Sequence, residues 1–375
     1  YPVLLVASLL VRPGAFSTVP SRWFRNLAIG AVLFGVLALP TVLFGINIMN
    51  NPRNVIVGLI LFSVLAAVFV KSPSLLTSLV LAVFLSALLF QNDQNIVETR
   101  RGFFGVHKVA LSSDGRFRLL YHGTTLHGAE RLADEDGSAG EKPEPLTYYH
   151  DKGPLYQAIT ERRRVQGGFD KVGIIGLGSG SLACWRQAGE AWRYFEIDPI
   201  VADIASDPEY FSFLSACSPD LPIILGDARL TVADEADASY DMLVVDAFSS
   251  DSIPVHLMTR EAFEMYLSKL RPDGVIAMHI SNRNMDLAPA LAAIGTALGL
   301  TTLIHEVVQT ESIEVSFKSG ARVVVFGRDA GDVEALAALP GWQALEPTPG
   351  VAEWTDDYSN ILGAIVSQMR AEKTD

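Results

Sequence analysis

The chain opens on long uncharged runs and continues as shorter alternating segments broken by turn residues. No charged residue occurs from Asn26 to Pro52, which exceeds the roughly twenty apolar residues that cross a bilayer and predicts a transmembrane helix kinked at Pro40. Asn54 to Val70 and Ser72 to Gln91 are uncharged too, separated by Lys71, and predict a tight hairpin of two further spans. Tyr1 to Val11 is apolar but short. Because the chain begins at Tyr rather than Met, this stretch is expected to be the remaining half of a helix; it lacks the charged start and small-residue cleavage site of a signal peptide. Residues 1–92 are thus expected to be a membrane unit.

From Asn95 to Glu130 the pattern alternates and turns, with Asp114-Gly115 as a hairpin signal, and predicts a small antiparallel sheet. Leu132 to Pro145 is acidic and proline-bearing, the composition of a mobile loop able to cover a site. Residues 93–146 form this predicted β-domain and its loop. From Thr147 the pattern becomes helical. Apolar strands then alternate with helical stretches: Val172–Ile175, a second strand ending at Glu196, Pro222–Gly226, Tyr240–Asp246, Gly274–Ser281, Thr301–Gln309 and Arg322–Gly327. This order predicts a doubly wound α/β sheet over residues 147–375, with function gathered at the carboxyl ends of the strands.

The most informative segment is Lys171 to Asp198: a buried strand, a glycine turn, a helix and a second strand ending in acid. Gly176, Gly178 and Gly180 let the backbone turn sharply and approach a ligand closely. Glu196 falls twenty residues after Gly176, where a carboxylate at the second strand end accepts hydrogen bonds from both hydroxyls of a ribose. Counted from Gly178, the pattern Gly178, Gly180, Ala183 also satisfies a dinucleotide fingerprint; counted from Gly176, it is the tighter turn of enzymes using S-adenosylmethionine or its relatives. Acids follow three successive strands: Glu196 and Asp198, then Asp227, then Asp246 and Asp251.

Charge and composition narrow the chemistry. The mean hydropathy is +0.28, yet charged residues crowd into the part after Gln91. A net charge of −13 argues against nucleic acid as a partner and suits a cationic substrate. Arg12, Arg22 and Arg25 make the first loop the most basic, which by the positive-inside rule places the later domain outside. A nucleoside cosubstrate is cytosolic, so the expectation is a multi-pass inner or plasma membrane protein with a cytoplasmic domain. Cys184 and Cys217 are too few for a disulfide framework, and Cys184 is expected to pack as a small hydrophobe. His122 and His127 lie five apart without a zinc-type partner, so no metal site is expected.

The segments TYYHDKGPL, IIGLGSGS, YFEID, LGDAR and YDMLVVDAFSSDSIP stand in an order and spacing that resembles the spermidine synthase family of aminopropyltransferases, in its membrane-bound branch. The resemblance covers Asn95 to about Val366. It implies a small β-domain followed by a Rossmann-like, class I methyltransferase-like domain that takes decarboxylated S-adenosylmethionine. By position Glu196 would hold the ribose, Asp227 the adenine amino group, and Asp246 would be the base facing the amine acceptor. Tyr149 matches the family's substrate-facing tyrosine, and His127 stands where the family has a glutamine.

Two positions depart from that pattern. Ser179 replaces an aspartate that grips the aminopropyl ammonium, an ion pair that a neutral hydroxyl does not reproduce. Asp246 and Asp251 lie five apart, where the family's aspartates are three apart. The chemistry itself calls for carboxylates. A sulfonium leaves as a neutral thioether, but an alkyl ammonium with a pKa near 10.4 must lose a proton before it attacks. Asp246 can take it, Asp251, His150 and His279 can line the acceptor pocket, and Tyr148, Tyr149 or Phe248 can face the sulfonium. The acidic aromatic run Trp354 to Asn360 can close the pocket, and Ser359 can cap the final helix. The sequence therefore points to a membrane-anchored aminopropyltransferase. The alternatives are a methyltransferase using S-adenosylmethionine itself, or a synthase-like subunit without turnover, in a homo-oligomer or a membrane complex.

Overall fold

The structure, a computed structural model, describes residues 24, 26, 28, 29, 31, 75–82 and 95–371, apart from 135, 139, 141, 249–253 and 309–315. The chain divides into two units, Tyr1–Asp93 and Gln94–Asp375.

The membrane expectation is corrected in the first unit. Among the described residues no helix is long and apolar enough to cross a membrane. The described residues 75–82 are helical and bury Leu75, Leu79 and Ala82. Most of the three uncharged runs, and all of Tyr1–Val11, lie outside the described residues. The multi-pass membrane localisation and the bilayer as a partner are therefore set aside.

The second unit begins with a four-stranded antiparallel sheet in the order β1-β2-β3-β4: β1 (Ile96–Arg101), β2 (Val106–Leu111), β3 (Phe117–His122) and β4 (Thr125–Arg131). The predicted turn at Asp114-Gly115 forms, with Gly115 at φ 72°. Asp114 accepts from Ser112 Oγ at 2.6 Å and Arg116 Nε at 2.6 Å. These bonds, the Ser112 hydroxyl first, hold its carboxyl well below the usual carboxylate range.

The larger sheet has eight strands in the order β12-β10-β11-β9-β8-β5-β6-β7. Its members are β5 (Lys171–Ile175), β6 (Ala191–Glu196), β7 (Ile223–Leu225), β8 (Tyr240–Val245), β9 (Leu270–His279), β10 (Thr301–Val307), β11 (Ala321–Gly327) and β12 (Gln343–Ala344). The strands from β7 through β9 are parallel; β11, β10 and β12 run antiparallel to their neighbours. Every residue of β8 is buried, as a central strand covered on both faces requires. The order reverses at β5, whose neighbours are β6 and β8. A crevice opens at the carboxyl ends there.

Helix boundaries follow local chemistry. The helix α1 (Pro154–Gln166) starts with proline in its first turn and stops at left-handed Gly167, whose N–H returns to Arg163. Asp198 caps α2 (Pro199–Ser206) by accepting from Ile200 N–H. The expected helix after the glycine loop is corrected: Ser181–Trp185 is one short 3-10 turn that ends where Arg186 becomes extended, because β6 starts too soon after it for an α-helix to fit. Another correction concerns the cysteines. Cys184 and Cys217 are joined in a disulfide with Cα atoms 4.9 Å apart. The 3-10 turn packs on α3 (Phe213–Cys217), and Ser218 Oγ donates to Ala183 O at 3.1 Å, which brings the two sulfurs together.

Candidate active site

At the end of β5 the chain needs backbone conformations that side chains resist: Gly176, Gly178 and Gly180 have φ of 98°, 55° and 81°. Gly176 is also required by space, since a Cβ there would lie 2.3 Å from the carbonyl oxygen of Asp246. The ends of β5 and β8 are thereby drawn together, with Asp246 N–H donating to Ile175 O at 2.8 Å. A cavity of about 620 Å3 opens above them, within the range of small-molecule sites.

Glu196 lines this cavity. Leu177 N–H donates to Oε2 at 2.9 Å and Asp198 N–H to Oε1 at 2.8 Å. Burial pushes this carboxyl above its ordinary range, and the backbone donors pull it back. The carboxylate retains acceptor capacity beyond these backbone bonds. Asp227 lines the same cavity; it caps the short helix α4 (Ala228–Thr231) through Arg229 N–H and has His256 Nε2 at 3.4 Å. His127, on β4, reaches the cavity from the small sheet.

Asp246 and Tyr149 meet on the cavity wall. The Tyr149 hydroxyl donates to Asp246 Oδ2, and burial, with the carboxylate beside it, raises this phenol well above its ordinary pKa. Tyr149 is therefore a fixed donor and not a base. Its loop is set by Thr147, at φ 52°, which exchanges backbone bonds with Phe317 and Ser319 at 2.7 and 3.0 Å. Trp185 Nε1 donates to the Tyr149 carbonyl at 3.0 Å, tying this loop to the disulfide-bridged turn. His279 Nδ1 lies 2.7 Å from Asp246 Oδ1. The rings of Tyr148 and Phe248 pack on it at 4.8 and 5.2 Å.

Several residues singled out in the sequence lie away from the cavity wall. Ser179 is buried, its Oγ has no hydrogen-bond partner among the described residues, and it packs against Gly128, where a Cβ would meet that oxygen at 2.4 Å. The cavity wall includes neither Ser179 nor Gly180; Gly180 shapes the turn instead. His150 also lies off the wall, its Nδ1 accepting from Lys152 N–H at 3.1 Å. Trp354 is buried in the core and Asp356 accepts from Arg229 and Thr259, so this cluster latches the start of α5 (Arg260–Lys269) and does not close the cavity. Asp251 lies outside the described residues. Among the described residues of the acidic loop, none lines the cavity.

Other wall residues carried no motif. Ser281 bonds His279 at 2.7 Å, and His107 bonds Asp198 at 2.7 Å, bridging β2 to the end of β6. His107 stacks on His122 at 4.4 Å. Only the alternation of the small sheet, read with its registers, places these histidines on one face. Among the described residues no group of three or more histidine, cysteine or acidic side chains is arranged to hold a metal ion.

No family model matches the chain. It is 29% identical over 182 residues to a polyamine aminopropyltransferase of Vibrio vulnificus, covering 47% of this chain and 54% of that protein. It is 31% identical over 113 residues to a probable polyamine aminopropyl transferase of Bifidobacterium longum, covering 29% of this chain and 23% of that protein. The matched region thus spans about half the length of the first relative and about a quarter of the second. Among solved structures, a probable spermidine synthase from Corynebacterium glutamicum is similar at 14% identity and a TM-score of 0.47, covering 70% of this chain and 97% of that chain. Both relatives matched by sequence carry the names of transferases.

Proposed function

We propose that this chain transfers an aminopropyl group from decarboxylated S-adenosylmethionine to an amine acceptor. The observation that carries the reading is the position of Asp246: at the end of β8 with its side chain 7% exposed, bonded by Tyr149, and lining the same cavity as Glu196. Glu196 would hold the ribose hydroxyls, Asp227 the adenine amino group, and His127 would cover the nucleoside from β4. The acceptor arrives as an ammonium ion. Asp246 takes one proton from it, which frees the nitrogen lone pair; the C–N bond forms as the C–S bond breaks, and the bonding pair remains on sulfur as a neutral thioether. Tyr149 holds the carboxylate toward the acceptor, and confinement supplies the in-line approach.

The sequence relatives named as aminopropyltransferases support this reading over the matched region. A second reading is methyl transfer from S-adenosylmethionine, since no acid stands at position 179 to mark the chain for the decarboxylated donor. Incubating the full chain with each donor and a diamine separates the two. Aminopropyl transfer releases methylthioadenosine only when the amine is present, whereas methyl transfer releases S-adenosylhomocysteine. Failure to form either product in an acceptor screen would contradict both.

A further inference from the structure

A line of hydrogen bonds continues behind Asp246. His279 Nδ1 is 2.7 Å from Asp246 Oδ1, and the other ring nitrogen, Nε2, is 2.7 Å from Ser281 Oγ. That oxygen also accepts the backbone N–H of Arg322 at 2.8 Å. A carboxylate only accepts, so Nδ1 carries the hydrogen and donates it to Asp246. In the neutral ring Nε2 is then an acceptor, and Ser281, whose oxygen already takes the Arg322 N–H, gives it the hydroxyl hydrogen. The atom order is that of a serine–histidine–aspartate relay. The geometry is fixed by pairing of β9 with β11, which sets His279 opposite Val323.

The other groups around His279 come from several elements. Tyr148 and Tyr149 face it from the loop before α1, and Asp246 faces it from the end of β8. From β11, Arg322 presents its backbone, while its guanidinium turns to Asp286 at 3.0 Å and to Glu306 at 3.5 Å. Asp246 is thus the one charged side chain bonded directly to the ring among the described residues.

We infer that His279 is a positioning residue that keeps Asp246 available as the proton acceptor, and that Ser281 selects its tautomer. This rests on the transfer reading for its catalytic consequence. The Nδ1–H bond aims the carboxylate and leaves its remaining lone pairs to the acceptor ammonium. The proton that Asp246 takes in each turnover leaves to water after the products.

The ring can be followed without turnover by nuclear magnetic resonance of the full chain labelled in its histidines, with His279→Gln identifying the signal. Nitrogen shifts should show hydrogen on Nδ1 and a bare Nε2 at high pH; the opposite tautomer would overturn the inference. In Ser281→Ala the share of the ring with its hydrogen on Nε2 should rise; an unchanged tautomer would overturn the role of Ser281. If Ser281→Ala does not fold, the tautomer in the unsubstituted chain decides. Where transfer is measured, His279→Gln should lower kcat several-fold with the nucleoside Kd unchanged; an unaltered kcat would contradict the positioning role. Absence of any transfer product strikes the proposed function and leaves the resonance result standing.

Discussion

Gly176 and Asp246 are in backbone contact: a side chain on the glycine would begin 2.3 Å from the aspartate's carbonyl oxygen. Gly176 also holds φ at 98°. One residue therefore determines both the turn at the proposed nucleoside site and the closeness of the strand that carries the proposed base.

Gly176→Ala should consequently be among the most damaging small substitutions in the domain. Positive φ alone costs about 1 to 3 kcal/mol for a residue with a side chain, and the clash with rigid backbone adds to it. Denaturant unfolding is expected to show a loss of at least about 2 kcal/mol. A loss below about 0.5 kcal/mol, the range of ordinary surface changes, would mean that the two strand ends separate freely.

Tyr149→Phe removes the hydroxyl bond to Asp246 and little else. If that bond only aims the carboxylate, kcat falls about 10- to 100-fold, or about 1.4 to 2.7 kcal/mol, while the nucleoside Kd is unchanged. A raised nucleoside Kd with unaltered kcat would instead place Tyr149 on the donor side.

The bridge between Cys184 and Cys217 closes a loop with a sequence separation of 33. The chain-entropy relation gives about 3 to 4 kcal/mol of stabilisation for a loop of that size. Adding a reductant, or making Cys184→Ser with Cys217→Ser, should lower the melting temperature. Because Trp185 holds the Tyr149 carbonyl, kcat should fall with it under conditions where the domain is still folded. Equal melting temperatures in both redox states would remove the bridge from the stability account.

Buried histidines set the acid side of stability. Burial lowers His122, with the charge of His107 adding to it; burial lowers His150, with Lys318 adding to it; and burial lowers His305. In each case the unfolded chain takes up its proton first as pH falls below about 6.5. Stability is therefore full above that pH and is lost progressively below it, until the folded-state value is passed. Melting temperature should decline between about pH 6.5 and 5, before most carboxylates titrate, and His122→Gln should flatten the decline. A melting temperature that rises over this interval would reverse the sign of the argument.

The large sheet was legible because β5 and β8 are largely apolar runs and their glycine and acid endings have fixed spacing. Glu196, Asp227 and Asp246 were readable for the same reason: strand ends are set by local sequence. His279 could be placed at a strand end, but Ser281 acquires its role only because β9 pairs with β11 and brings Arg322 N–H to its oxygen. The disulfide was misread because counting cysteines says nothing about two short helical turns packing together. The uncharged runs of the first unit lie mostly outside the described residues, and no helix long and apolar enough to cross a membrane is found among those described.

Central to the account is the division of labour between Glu196, proposed for the nucleoside, and Asp246, proposed for the proton. The direct measurement compares the full chain with Asp246→Asn, using calorimetric binding of methylthioadenosine together with its amine-dependent release from decarboxylated S-adenosylmethionine. The account predicts that Asp246→Asn binds methylthioadenosine within about threefold of the unsubstituted chain, under 0.7 kcal/mol, while release falls by at least about a hundredfold, the contribution of a general base. Release that survives in Asp246→Asn, or binding lost together with it, would contradict the assignment of Asp246 as the proton acceptor.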